Sequence, residues 1–124
     1  MAQTIHVPWY ATGLRGDRLA AVLLDVTPTA LRYGATSWSL HRSKEDKYKF
    51  LQILHFEDKL DFERWWEGHE MVEMRTMTSG WWQVPQLYWP HETLGEGRIK
   101  APVAVAGTDV APEPEPAEPA PAAS

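Results

Sequence analysis

The stretch from Tyr48 to Glu57, "YKFLQILHFE", carries large side chains on both faces of a predicted strand. Successive residues of a strand point to opposite faces of its sheet. One face receives Phe50, Leu54 and Phe56, and the other receives Leu51, Ile53 and His55. Because helices cover only one face of such a sheet, the other face needs a second cover. A second copy of the chain is the simplest, which predicts a homodimer with its sheets packed face to face.

The other segments predict a complete element order around this strand. β-branched and aromatic runs or period-two alternation predict strands, and apolar residues at helical spacing predict helices. The predicted strands cover residues 4–10, 35–43, 48–57 and 81–89, and the predicted helical stretches cover 18–26, 28–33, 59–67 and 69–77. The order β-α-β-β-α-β is the α+β, ferredoxin-like pattern, an antiparallel sheet with helices on one face. Pro85 places the last strand at an edge or a bulge.

The charge and proline content divide the chain into a domain and a tail. All twelve Lys and Arg lie in residues 1–100 against thirteen Asp and Glu, whereas residues 101–124 carry four acids and no base. That last stretch also holds six of the ten prolines and no aromatic residue. We predict a ferredoxin-like domain over residues 1–96 and a disordered acidic tail over 97–124, which either solubilises the protein or docks a larger protein partner.

Several classes of function are disfavoured by the sequence. The chain has no cysteine, which excludes thiolate chemistry, and no run of apolar residues is long enough to span a membrane. The near-neutral body with an acidic tail is a poor partner for nucleic acid or anionic lipid. The sequence lacks a phosphate-binding glycine loop, a serine-hydrolase elbow and a His spacing suited to metal. We expect a cytoplasmic protein without a metal or another cofactor.

Three segments resemble the dimeric α/β-barrel superfamily, and within it the antibiotic-biosynthesis-monooxygenase-like (ABM-like) proteins. They are the turn and helix "FEDKLDFERWW", the closing "GWWQVPQLYW", and the hairpin "YGATSWSLHRS" with "YKFLQILHFED". The likeness covers about residues 3–94. It implies a ferredoxin-like protomer, a homodimer, and a cavity between the sheet and the helices. Members include cofactor-independent oxygenases of polyphenols and quinols, haem-degrading enzymes, and proteins without an assigned activity.

Histidines on the predicted hairpin are the candidates for acid–base chemistry. A neutral His in an apolar pocket can accept the proton of a phenol or quinol. We predict His55 as the catalytic base, because its face is the more apolar, with His41 as the second candidate. His6 of the first strand is a candidate substrate contact. The alternative for each is a structural His that is satisfied by a neighbouring backbone or side-chain group.

Tryptophan is the second unusual feature, since five of the seven lie within residues 61–89. Indole rings bury a large area and stack on flat ligands. We predict Trp38, Trp66, Trp82 and Phe62 as walls of a pocket for a small aromatic or polycyclic molecule. The alternative is that these rings form an ordinary core.

Two functions of different classes follow from these observations. The first is binding of an aromatic small molecule with cofactor-independent monooxygenation of a phenol or quinol. The second is a non-catalytic binding or assembly subunit that docks a larger protein through residues 101–124.

Overall fold

The computed structural model describes residues 2–99, which fold into a four-stranded antiparallel sheet with helices on one face. The elements are β1 (Gln3–Tyr10), α1 (Gly16–Val26), a 3-10 helix (Thr27–Tyr33), β2 (Ala35–Arg42), β3 (Lys49–Phe56), α2 (Lys59–Trp66), α3 (His69–Met77) and β4 (Trp89–Glu92). The strand order is β2-β3-β1-β4, so β4 is an edge strand. The predicted ferredoxin-like fold is confirmed. Of the predicted tail, residues 100–124 lie outside the described part.

The core lies between the helices and the face of the sheet that carries the odd-numbered residues of β1. Ile5, Val7 and Trp9 of this face are buried, as are Phe50 and Leu54 of the neighbouring strand. The even-numbered residues of β1 point to the opposite face. Within residues 2–99 no helix covers that second face, which we call the open face of the sheet. Each buried aliphatic or aromatic side chain in the core contributes about 1.5–3 kcal/mol of transfer free energy.

Two helix boundaries follow the sequence signals, and one does not. The carboxylate of Asp58 accepts a hydrogen bond from the Leu60 N–H at 3.0 Å and caps α2. Gly68 separates α2 from α3, at the boundary between the predicted helical stretches 59–67 and 69–77. Asp17 is a residue type that commonly caps a helix, but it lies inside the first turn of α1, where its carboxylate pairs with Arg42 at 2.9 Å. In the first turn, the negative carboxylate of Asp17 still interacts favourably with the positive end of the helix dipole.

The 3-10 helix is attached to α3 by a polar cluster. Glu70 accepts hydrogen bonds from the Tyr33 hydroxyl at 2.7 Å and from the Arg32 guanidinium at 2.8 Å. These two donors hold the pKa of the Glu70 carboxyl at about 2. Gly34 ends the 3-10 helix with a left-handed φ of 110°, a conformation that glycine adopts without a Cβ clash.

The last strand differs from the prediction. It was expected over residues 81–89, but β4 covers Trp89–Glu92, and Trp82 makes only an isolated bridge with Ala11. Trp82 pairs with Ala11, just after β1, and Trp89 pairs with His6 of β1. Six residues lie between the two tryptophans, whereas only four lie between their two partners. Residues 83–88 therefore bulge out of the ladder between these two points of pairing.

Pro8 gives the physical reason for this interruption. Its carbonyl oxygen accepts a hydrogen bond from the Gln86 side chain at 2.6 Å, so its backbone faces the bulged segment. Proline has no N–H to donate to a neighbouring strand. The ladder is interrupted at Pro8 on that side and resumes where the Gln83 N–H donates to the Tyr10 carbonyl at 2.8 Å, and the Gln86 amide replaces part of the lost pairing. Among residues 2–99, no helix is both long and apolar enough to cross a bilayer.

Candidate functional site

Aromatic rings fill the space between α2 and the sheet. Phe62 and Trp65 are completely buried, and Trp66 is 8% exposed. Phe62 lies within 6 Å of four rings, with centroid distances of 5.7 Å to Phe56, 5.9 Å to Trp65, 5.8 Å to Trp66 and 4.7 Å to Tyr88. Phe62 and Trp66 were predicted as walls of a pocket. In this conformation they contact each other and the neighbouring rings.

The remaining predicted wall residues also pack against the core. Trp82 meets Trp9 edge to face, with ring centroids 5.3 Å apart. Trp38 lies opposite Leu54 on the helix-facing side of β2 and is partly buried against the same core. The predicted residues Trp38, Trp66, Trp82 and Phe62 thus belong to the face of the sheet that the helices cover.

Three indole N–H groups in this region are satisfied by the protein itself. Trp9 donates to the Gln52 side chain at 2.8 Å, Trp65 donates to the Thr29 hydroxyl at 2.9 Å, and Trp82 donates to the Thr78 hydroxyl at 2.8 Å. Buried polar groups need such partners, because an unpaired N–H costs about 1–3 kcal/mol. The three indole N–H groups are therefore satisfied as in a structural core, and none of them is left to donate to a ligand.

Arg75 of α3 borders the same aromatic cluster. Its guanidinium lies 4.5 Å from the centre of the Trp66 ring, a cation–π geometry. Its nearest carboxylate, Glu67, is 4.0 Å away. Burial is the main cause that lowers the pKa of Arg75. No sequence spacing indicated this contact, because Trp66 and Arg75 lie on two different helices that are separated at Gly68.

A groove of about 740 Å³ lies where β1 and β2 end and β3 begins. It is lined by Pro8, Trp9, Tyr10, His41, Arg42, Ser43, Lys49, Phe50, Leu51, Gln83, Val84, Pro85 and Gln86. The bulged segment forms one wall, and the open face forms the floor. Volumes of 300–1,000 Å³ with mostly apolar linings and a few polar groups are typical of small-molecule sites. This groove is the candidate functional site.

His41 is the predicted catalytic residue that lines this groove. It is exposed, and its Nε2 atom lies 2.9 Å from the Ser39 hydroxyl on the same strand. Across the groove, the Tyr10 hydroxyl donates to Asp46 at 2.9 Å. That hydrogen bond is the main cause that raises the pKa of Tyr10, so its phenol stays neutral and offers a ring and an acceptor oxygen. The lining of the groove therefore includes one exposed imidazole.

His55 and His6 lie further along the open face, outside the residues that line the groove. The Thr4 hydroxyl lies 3.0 Å from His55 Nδ1, and the His6 and His91 rings are 4.5 Å apart. Burial, followed by the charges of the two neighbouring histidines, lowers the pKa of His6. Among residues 2–99, no cluster of three His, Cys, Asp or Glu side chains has a geometry that could hold a metal ion.

The structure thus divides the predicted site residues between the two faces of the sheet. The histidines occupy the open face, and the tryptophans and Phe62 occupy the covered face. A single cavity within one protomer cannot be lined by both sets. The groove residues that sequence reasoning missed, Tyr10, Lys49, Phe50 and the segment 83–86, come together through the bulge. Pro8 together with Pro85 was the available signal, since both interrupt strand pairing.

No protein-family model and no curated protein sequence matches the chain. Solved structures do. A candidate antibiotic biosynthesis monooxygenase from Nitrosomonas europaea superposes with a TM-score of 0.69 at 13% identity, covering 75% of this chain and 90% of that one. A second such candidate, from Bordetella bronchiseptica, gives a TM-score of 0.65 at 15% identity, covering 75% and 97%.

SnoaB from Streptomyces nogalater, described as a cofactor-independent oxygenase, gives a TM-score of 0.65 at 12% identity. The match covers 77% of this chain and 95% of that one. Identities this low carry information about the fold and leave the substrate and the reaction open. As the sequence resemblance predicted, the chain has the fold of the antibiotic-biosynthesis-monooxygenase-like proteins.

Proposed function

We propose that this protein binds a small aromatic or polycyclic molecule in the groove and acts on it as a cofactor-independent monooxygenase of phenols or quinols. The groove carries the proposal, because its volume of about 740 Å³ accommodates a fused-ring ligand. Leu51 and Pro85 supply apolar contacts to the ring system. His41 is the base in this proposal, and His55 is too far along the open face to line the groove.

An anthrone serves as the example substrate, because its tautomer is a phenol. His41 accepts the phenolic proton, and the electron-rich anion that forms reacts directly with O₂ at the ring carbon. One oxygen atom enters the substrate as a carbonyl. The other leaves as water with the two hydrogens of the former methylene carbon, the proton on His41 among them. The substrate supplies all the electrons, so the step requires no further reductant.

The protein is also proposed to form a homodimer, in which two copies meet through their open faces. Ile53 lies on this face beyond the groove, without a covering helix among residues 2–99, and Trp89 at the edge of the face is 52% exposed. Burying such side chains against a second copy is favourable by about 25 cal/mol per Å² of apolar area. Light scattering should report a dimer for the wild type and a monomer for Ile53→Glu, which places a charge in the interface. A monomeric wild type at micromolar concentration argues against the pairing.

Turnover of a panel of quinols and anthrones under O₂ tests the catalytic part. Product formation is followed by absorbance, and binding is followed separately through tryptophan fluorescence. His41→Gln should lower kcat by about 100-fold or more while it leaves binding within a few-fold, since a general base contributes about 10²–10⁴-fold. His69→Gln is the matched control, because His69 is exposed on α3 and does not line the groove.

Equal turnover by His41→Gln and the wild type contradicts the assignment of the base. The second candidate function, a non-catalytic binding or assembly subunit, is favoured by the filled interior around Phe62. It predicts binding without turnover across the whole panel. It also predicts loss of a protein complex when residues 101–124 are deleted, whereas the oxygenase should keep its turnover after that deletion.

A further inference from the structure

We propose that the ligand of the groove is an aromatic acid whose carboxylate is recognised by Lys49. This inference rests on the proposed function, since it names the chemical class of the molecule that the groove takes. The charges of the groove motivate it. Among the residues that line it, Arg42 and Lys49 are cationic, Arg42 is paired with Asp17, and none is an Asp or a Glu. An anionic group is therefore attracted to this lining.

Asp46 is a carboxylate whose pKa is lowered mainly by hydrogen bonds and in part by the charge of Lys49, but Asp46 and Lys49 form no direct ion pair within residues 2–99. Asp46 precedes β3, and both of its oxygens are engaged: Oδ1 accepts from the Tyr48 N–H at 3.0 Å, and Oδ2 accepts from the Tyr10 hydroxyl at 2.9 Å. These hydrogen bonds are the leading causes that lower the pKa of Asp46, which is therefore ionised but held in place.

Arg42 has a different role in the same groove. Its guanidinium pairs with Asp17 at 2.9 Å, donates to the Lys47 carbonyl at 2.8 Å and lies 5.0 Å from the centre of the Phe50 ring. These contacts fix Arg42 as part of the wall. Lys49 is exposed, and within residues 2–99 its ammonium forms no ion pair. Lys49 is thus the cation of the groove whose donors are available to an anion.

The placement of Lys49 defines how such a ligand would lie. Lys49 and Leu51 share the open face of β3, two residues apart, so the ammonium stands beside the apolar floor. A flat ring against Leu51 and Pro85 would bring a substituent on its edge towards the ammonium. Neutral polycyclic molecules would fill the same floor without using this charge.

Direct binding of a matched pair of probes tests the inference. Anthracene-2-carboxylate and anthracene-2-carboxamide have nearly the same shape and differ in charge, and both are titrated against the full chain by fluorescence. The carboxylate should bind about two- to fivefold more tightly, since an exposed charge pair contributes about 0.2–1 kcal/mol. This preference should shrink at high salt, because exposed charges are screened.

Three variants identify the residue responsible. Lys49→Met should abolish the preference for the acid while it keeps the affinity for the amide, and Lys49→Arg should retain the preference. Lys44→Met is the matched control, since Lys44 is exposed in the adjoining turn and does not line the groove. It should behave like the wild type.

The outcomes separate this inference from the function on which it rests. Equal affinities of acid and amide in the wild type, or an acid preference that survives Lys49→Met, overturn the role of Lys49 and leave aromatic binding standing. Failure of both probes to bind overturns the groove as an aromatic site, and the proposed function with it.

Discussion

Replacement of Gln52 by Met should destabilise the protein by about 2 kcal/mol, although the two side chains have similar volumes. Gln52 is completely buried on β3. Its amide oxygen accepts from the Trp9 indole at 2.8 Å, and its amide nitrogen donates to the Thr27 hydroxyl at 2.7 Å. Thr27 donates in turn to the Leu23 carbonyl. This chain of hydrogen bonds connects the sheet to the end of α1 through the core.

The magnitude follows from the groups that Met leaves unpaired. The Trp9 N–H would stay buried without an acceptor, which costs about 1–3 kcal/mol. Thr27 keeps its bond to Leu23 and contributes less. Met recovers part of the loss, because burying its apolar atoms is more favourable than burying an amide. For a domain of this size, about 2 kcal/mol corresponds to a decrease in Tm of about 10 °C.

Urea denaturation at a fixed protein concentration, followed by far-UV circular dichroism, measures this loss. Gln83→Met is the control, because the Gln83 side chain is exposed, and it should change stability by less than about 0.5 kcal/mol. In a Trp9→Phe background the indole donor is absent, so Gln52→Met should cost about 1 kcal/mol less. An equal cost in both backgrounds, or a cost below about 0.5 kcal/mol in the wild type, refutes the reasoning.

Two further perturbations test the open face and the helix end. The pKa of His6 lies below its unfolded value of 6.5, so its contribution to stability is complete above that pH and is lost as the pH falls towards the folded pKa. His6→Gln should therefore flatten the decline of urea stability between about pH 7 and pH 5, and an unchanged pH profile contradicts this. Gly34→Ala should lower the Tm more than Gly80→Ala. Both glycines have positive φ, but only at Gly34 would a Cβ meet Asp61, at 2.8 Å; equal decreases in Tm contradict the steric argument.

The strands and helices that depend on local patterns could be predicted from the sequence. The alternation in β3 and the helical spacing in α1 identified both elements, and Gly68 marked the break between α2 and α3. The predicted bounds of the last strand were wrong, because a run of aromatic residues has strand propensity but pairing depends on the neighbouring strand. Pro8 on β1 removes the donor that residues 83–88 would have needed.

The candidate site was less accessible to sequence reasoning, for a physical reason. Whether Trp66 lines a pocket or fills a core depends on how completely Phe62 and Tyr88 occupy the space around it. That is a property of three-dimensional packing, which composition does not encode. His41 was named from its strand position, but its neighbours across the groove come from a segment more than forty residues away.

The open face joins the two parts of the proposed function. Leu51 lines the groove, and Ile53, two residues along the same face of β3, belongs to the surface that is proposed to meet a second copy. Ligand binding and dimerisation therefore use adjoining parts of one strand. If the second copy contributes a wall to the groove, the dimer binds the ligand more tightly than the monomer does. By linkage the ligand then strengthens the dimer by the same factor.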